Sequence, residues 1–580
     1  MDGRLATRLT HHLARIYPAD ALPRLVEELL ERVEGFESQV PDRDRAGKWS
    51  EQDVLLITYG NSLEARHEPR DRHEPPLQTL RRFASEYLGE TFSGIHILPF
   101  YPYSSDDGFS VIDYRAVNPE LGTWDDIRAL ATEFDLMADL VINHISVQSE
   151  WFQQFLLGAS PGVDYFITED ADTDLASVVR PRPHPVLVPF ETAAGTRHVW
   201  ATFSEDQVDL DFSNPKVLLE MVDVLFFYLA QGARWIRLDA VGFLWKEVGT
   251  PCIHLPQTHE LVRLMRTLAE AVEPQAVLIS ETNVPNVENL SYFGNCNEAH
   301  GIYNFSLPPL LVDALIQGRS KHLKTWMMSM PPAPHGCMFF NFTASHDGIG
   351  LRPAEGLLDP EDIRTLVSTM QRFGGKVSMR ALANGTLSPY EINITLFDAL
   401  RGTVHGEDGH QEARFLCSQA IMLGLEGVPA VYIHSLLATP NDTQGVLETG
   451  RNRSINRHRW DWQELERRLG DPSTPQARIF HAMRRLVQIR RQQPAFHPNA
   501  TQYTLHLGER LFGFWRQSPK RDQSIFAVHN LSPRRQTLHL SSLNLVSTDT
   551  WCDLIGGEAI ESLHGKLRLG PYQSLWLTNR

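Results

Sequence analysis

The sequence predicts an α/β protein: a closed (β/α)8 TIM barrel with an insertion after strand three, a cap between strands seven and eight, and an all-β C-terminal domain. Three observations predict it. Strand-like and helix-like patterns alternate eightfold from residue 53, the alternation that gives a parallel sheet. Several of the strand runs close on carboxylates, histidines or an asparagine, as in a barrel whose site lies at the C-terminal ends of its strands. From about residue 500 the runs become short and strand-like.

In chain order, residues 1–48 read as a helical extension, with LPRLVEELLERVEGF at 22–36 placing leucine and valine on one face and glutamate on the other. Packing on the barrel is the expectation, a partner-binding helix the alternative. The barrel spans 49–495, with strands expected at 53–59, 95–100, 137–143, 235–240, 277–281, 301–305, 338–347 and 428–433. Helical patterns at 78–88, 123–134, 257–272 and 412–425 lie between them. Two connections are long, and long excursions in a compact fold usually carry function. The first, 145–210, reads as an inserted small domain and the second, 350–395, as cap loops over the site. Residues 496–580 read as a structural β domain, and the charged loop at 64–76 as solvated.

Composition narrows the function. A length of 580 residues exceeds one ordinary domain, and 42% hydrophobic with 22% charged residues is that of a globular protein. A net charge of −17 argues against nucleic acid and anionic membrane as partners, and leaves any anionic substrate to be captured by local arginines. Five scattered cysteines without metal spacing read as reduced thiols. The first residues lack an apolar core of signal-peptide length, and no later run would span a membrane. A cytoplasmic protein is expected.

The chemistry centres on RWIRLDAVG at 234–242, an apolar run broken only by Arg237 and Asp239. A buried strand carries such a pair when the two charges serve each other or a ligand. A structural ion pair at a strand end is the plain alternative. DLVINH at 139–144, ISETN at 279–283 and SHDGIG at 345–350 add Asp139, Asn143, His144, Glu281, His346 and Asp347 at further strand ends. With all four motifs in this order, the chain resembles the α-amylase superfamily of retaining α-glucosidases and transglucosidases over roughly residues 50–490. Retention needs one carboxylate as nucleophile and one carboxylic acid to protonate the leaving oxygen. The resemblance implies Asp239 as nucleophile, held ionised by Arg237, and Glu281 as acid/base with a raised pKa. It implies Asp347 as the carboxylate that holds sugar hydroxyls and stabilises the oxocarbenium-like transition state, with His144 and His346 on the same sugar. Asp139 would brace the arginine. Asn143 matches a frequent calcium ligand of true amylases, but the insertion shows no acidic partner set, so no metal and no cofactor are expected.

Further motifs narrow the branch. ILPFYPYSSDDGFSVIDY at 97–114, RPRPHP at 180–185, LPPLL at 307–311 and GRNRSINRH at 450–458 resemble sucrose phosphorylase and its close relatives. By that resemblance Asp106 and Arg457 grip the far hydroxyls of one glucosyl unit, and Phe109 forms an apolar wall beside it. Arg180 and Arg182 would sit at the mouth, where a guanidinium fork suits phosphate, although solvated arginines on a proline-ordered loop are the plain alternative. The run TNVPN after Glu281 and the SPYEIN loop at 388–393, with Tyr390, depart from the sucrose phosphorylase pattern where leaving group and phosphate are handled. The whole looks more like the glucosylglycerate phosphorylases, with glucosylglycerol, sucrose and sucrose 6-phosphate phosphorylases as neighbours. The expected partners are a small α-glucoside, inorganic phosphate and glucose 1-phosphate. A hydrolase would need the same triad without a phosphate site, and a non-catalytic binding protein would be expected to have lost it.

Overall fold

The computed structural model describes residues 3–37, 47–66, 74–381, 386–546 and 549–579. Eight parallel strands close a barrel. They are β1 (Leu55–Thr58), β2 (Gly94–Ile97), β3 (Asp135–Val141), β4 (Ala233–Asp239), β5 (Val277–Ser280), β6 (Gly301–Tyr303), β7 (Met338–Phe342) and β8 (Val428–Tyr432). Each expected strand is present and buried along its length, because helices cover the outside and side chains fill the inside. The apolar runs overshoot the ladders. The run at 338–347 stops pairing at Phe342, so His346 and Asp347 lie on the loop after β7, and Glu281 stands one residue beyond β5.

The segment before the barrel holds two helices, α1 (Gly3–Leu13) and α2 (Leu22–Glu34), of which the amphipathic pattern announces only the second. Both pack on the barrel's outer helices. Arg32 of α2 pairs with Asp223 (2.8 Å) on α3 (Pro215–Ala230), and His12 of α1 lies 2.6 Å from Glu260 on α4 (Pro256–Val272). Helix α3 starts where Asn214 caps the Lys216 N–H with Pro215 behind it, and Gly232, at φ 94°, turns the chain into β4.

Between β3 and β4, a helix (Glu150–Leu157) and an antiparallel sheet of Thr168–Glu169, Gly195–Trp200 and Leu187–Thr192 occupy the long connection. A short ladder pairs His144–Ser146 with Gln207–Asp209 and fastens that connection to the end of β3. Between β7 and β8, a helix (Pro360–Arg372) and the hairpin Lys376–Ala381 with Leu387–Asn393 form the second excursion, joined to the barrel rim by Ile349–Gly350. After the barrel comes a five-stranded sheet containing Leu511–Gln517, Ser524–Asn530 and Ser574–Thr578. Of the charged loop at 64–76, residues 67–73 lie outside the described residues. Among the described residues, no helix is long and apolar enough to cross a membrane.

Candidate active site

β4 carries Arg237 and Asp239 two residues apart, so both side chains leave the strand on one face. The register sets Arg237 opposite Asp139 of β3. Arg237 Nη1 lies 2.5 Å from Asp139 Oδ1 and 2.7 Å from Asp239 Oδ1, and its Nη2 is 3.8 Å from Glu281 Oε1. Behind it, Asp139 Oδ2 meets His96 Nε2 at 2.6 Å. Asp139 thus braces the guanidinium that stands between Asp239 and Glu281.

After Asp239 the chain turns through Ala240 in the left-handed region (φ 52°), an uncommon conformation for a residue with a Cβ. That turn aims the Ala240 N–H at Glu281 Oε2 (3.1 Å). The two carboxylates feel their surroundings unequally. Burial pushes Glu281 up to about 7, against the pull of Arg237 and helped by Asp239 and Asp347. Burial also raises Asp239, with Arg237 as the strongest opposing influence, so the arginine limits the rise without reversing it as the sequence reading expects.

Asp347 is held the other way. Burial works to raise it, but Arg453 first, then His346 and Arg457, keep it well below the usual carboxylate range. Arg453 Nη1 is 2.6 Å from Asp347 Oδ1, and its other edge donates to both oxygens of the fully buried Glu391 (3.0 and 2.6 Å). The Asn456 side-chain N–H groups donate to the carbonyls of Ser345 and Asp347 (3.0 Å each) and fix the loop.

Asp106, Phe109 and His144 line the same pocket as the three carboxylates, together with Arg182, Arg237, His346 and Tyr390, around a free interior of ≈ 90 Å³. Phe109 stacks on His346 (ring centroids 4.8 Å apart) under the Arg237 guanidinium (5.6 Å). His144 Nε2 is 3.0 Å from the Phe109 carbonyl and 3.2 Å from Gln207 Nε2. Arg182 lies over the Tyr390 ring at 5.5 Å.

Two predicted residues are placed elsewhere. Arg457 does not meet Asp106: its Nη1 pairs with Asp107, its Nε donates to the His346 carbonyl (3.0 Å), and it lines a neighbouring cavity with Tyr59. The cause is backbone geometry. Asp106 and Asp107 are both left-handed (φ 53° and 48°), and it is Asp107 that pairs with the arginine while Asp106 lines the pocket. Arg180 is exposed and does not line the pocket. Asn143 Oδ1 accepts from Lys246 Nζ (2.7 Å), whose ammonium also meets Asp209 (2.6 Å), so a side-chain cation sits where these oxygens converge. Sequence reasoning missed Arg453, Glu391, Asn283, His254 and Arg352. Arg453 and Glu391 lie inside motifs it singled out; His254 and Arg352 carry no motif signal.

A family model described as "Alpha amylase, catalytic domain" matches residues 86–347. A glucosylglycerate phosphorylase of Allomeiothermus silvanus is 44% identical over 579 residues, covering 100% of this chain and 99% of that one. One from Escherichia coli is 40% identical, covering 98% of this chain and 99% of its own. The solved sucrose 6F-phosphate phosphorylase from Thermoanaerobacter thermosaccharolyticum superposes with a TM-score of 0.72 at 25% identity, over 89% of this chain and 97% of that one. The chain belongs to the α-amylase family and, within it, to the group of these phosphorylases.

Proposed function

We propose that the chain is a retaining α-glucoside phosphorylase that converts 2-O-α-glucosylglycerate and inorganic phosphate reversibly to α-glucose 1-phosphate and glycerate. The observation that carries the mechanism is one guanidinium reaching both Asp239 (2.7 Å) and Glu281 (3.8 Å). A guanidinium that contacts both carboxylates holds them on one face of the pocket, where one can act as nucleophile and the other as acid/base. The identity of the acceptor is supported by the relatives aligned along the full chain.

In the first displacement the Asp239 carboxylate attacks the anomeric carbon, and Glu281 passes its proton to the departing glycerate oxygen. In the second, a phosphate oxygen attacks the anomeric carbon of the glucosyl–Asp239 ester, the bond from that carbon to the carboxylate oxygen breaks, Glu281 takes up the phosphate proton, and Asp239 is freed. Asp347, ionised and fixed by Arg453, stabilises positive charge on the ring and holds hydroxyls with His144 and His346. Asp106 and Phe109 bound the glucosyl pocket. Arg182, on Tyr390, holds phosphate at the mouth. Five free thiols support a reducing compartment, and with it a cytoplasmic place.

The test is incubation with phosphate and a panel of α-glucosides, scoring glucose 1-phosphate and reading its anomer by NMR. Glucosylglycerate should give the α-anomer. If every glucoside gave only free glucose, a hydrolase would take the place of this reading.

A further inference from the structure

Four arginines line the pocket: Arg182, Arg237, Arg352 and Arg453. Two are committed. Arg237 is held between Asp139 and Asp239, and Arg453 between Asp347 and Glu391. Arg182 is stacked on Tyr390. Arg352 is different. Its guanidinium makes no side-chain hydrogen bond among the described residues, and its ion-pair partner there is Glu288, at 3.6 Å and 40% exposed.

Its place in the pocket is also particular. The leaving group must lie on the side of Glu281, which protonates it, and Thr282, Asn283 and Val284 continue the pocket wall from there. Asn283 Oδ1 is buried with no hydrogen-bond partner. Gly350 packs so closely on that amide that an added Cβ would lie 2.7 Å from Oδ1, which brings the turn carrying Arg352 against the same wall. His254, the neighbouring imidazole, is kept neutral: burial, His259 and Arg352 lower it to about 4, and its nitrogens meet Tyr292 (2.7 Å) and Glu288 (3.2 Å). The acceptor half of the pocket therefore offers one uncommitted cation beside one unpartnered amide oxygen.

We infer that Arg352 binds the anionic group of the acceptor. This deepens the proposed function and rests on it. Leaving acceptor and incoming phosphate occupy the same space in turn, so an enzyme handling two anions benefits from two arginines on different walls. Arg352 then serves the carboxylate and Arg182 the phosphate. A guanidinium fork matches a carboxylate in two parallel hydrogen bonds, and Glu288, too distant to bond well, holds it poised without occupying it.

The experiment compares D-glycerate with uncharged glycerol as acceptors for α-glucose 1-phosphate. The readout is the ratio of the two kcat/KM values within each variant. Arg352→Gln should lower the glycerate-to-glycerol ratio about tenfold or more, through KM for glycerate, since a charge-assisted bond pair is lost. Arg352→Lys should keep part of the preference. Glu288→Gln should act in the opposite direction and lower KM for glycerate alone, because the competing carboxylate is gone. An unchanged ratio in Arg352→Gln, or in Arg352→Lys if the glutamine variant does not fold, overturns the inference. A wild-type enzyme that makes no glucoside from glucose 1-phosphate and either acceptor would remove the phosphorylase reading itself, before any variant is made.

Discussion

Glu281 and Asp239 share Arg237 unequally, and that inequality sets the pH behaviour of the site. Arg237 lies 1.1 Å closer to Asp239 (2.7 against 3.8 Å), so desolvation falls more heavily on Glu281, whose pKa reaches about 7. As the proposed acid, Glu281 must begin protonated, so kcat/KM for the glucoside should fall as pH rises through about 7, and Glu281→Gln with glucosyl fluoride, which needs no protonation, should lose that limb. The same shift has a stability sign. A carboxyl whose folded pKa is raised binds its proton more tightly when folded, so its contribution is present below about pH 4.5 and lost as pH climbs through about 7. Glu281→Gln should therefore raise Tm at pH 8 relative to wild type and leave it nearly unchanged at pH 4.5; equal effects at both would contradict the raised pKa. Arg182 and Arg180 give a second test at this scale. Water is present at about 55 M, so millimolar phosphate competes for the glucosyl enzyme only if bound and oriented. Arg182→Ala should raise KM for phosphate and divert product towards free glucose, while exposed Arg180, outside the pocket, should be replaceable by alanine with no change in that ratio. Equal diversion by both would mean that the loop acts as a charge cloud and not through one side chain.

At the scale of elements, β4 and its neighbours were legible because a barrel wall needs unbroken apolar runs, and those runs also end where the carboxylates emerge. What the runs do not encode is which charged residue of a loop turns inward. GRNRSINRH contains three arginines, and only the fold shows that Arg453 reaches Asp347 while Arg457 turns to Asp107. Likewise, two adjacent aspartates with the same left-handed backbone divide between two cavities. Contacts between distant segments settle these choices, as when Glu391 on the Leu387–Asn393 strand meets Arg453 from the turn 62 residues later. That contact ties the cap hairpin, through Arg453, to Asp347. Glu391→Gln leaves the half-buried Arg453 with one carboxylate instead of two, which should cost about 2 kcal/mol in urea unfolding. It should also lower kcat more than it changes KM for the glucoside, because Asp347 loses its fixed counter-ion. A variant as stable as wild type, with unaltered kcat, would show that the hairpin merely covers the pocket.

For the whole molecule, the question is whether the C-terminal sheet is a separate domain or part of the barrel's core. Its own cluster around Phe526 and Trp551 suggests independence. The other face does not. Phe512, Phe514, Ile525 and Trp576 belong to the same continuous apolar core as the barrel strands, and Phe496 stacks edge-on against Trp576 (4.9 Å). At Gly424, the end of the helix Gln411–Gly424 that precedes β8, an added Cβ would lie 3.0 Å from the Phe514 ring, so helix and sheet touch with no room for a side chain. Two fully buried arginines stitch the junction. Arg516 of the sheet donates to the carbonyls of Gly424 (2.8 Å) and His497 (2.7 Å), and Arg490 of the last barrel helix to those of Leu423 (3.0 Å) and Phe496 (3.2 Å). Neither has a carboxylate against it in these contacts, and burial lowers Arg516 to about 10 and Arg490 to about 9. Separating sheet from barrel would break these hydrogen bonds and expose a wide apolar face to water, a cost on the scale of the few kcal/mol by which folded domains exceed their unfolded states. The expectation is a single calorimetric transition in which barrel and sheet unfold together, although chains of this length commonly unfold domain by domain. Arg516→Met should lower the temperature of that one transition without splitting it, because a methionine fills the site but cannot donate to the carbonyls of Gly424, His497 and Ala500. Two resolved transitions in the wild-type protein would mean instead that the sheet folds on its own core and only leans on the barrel.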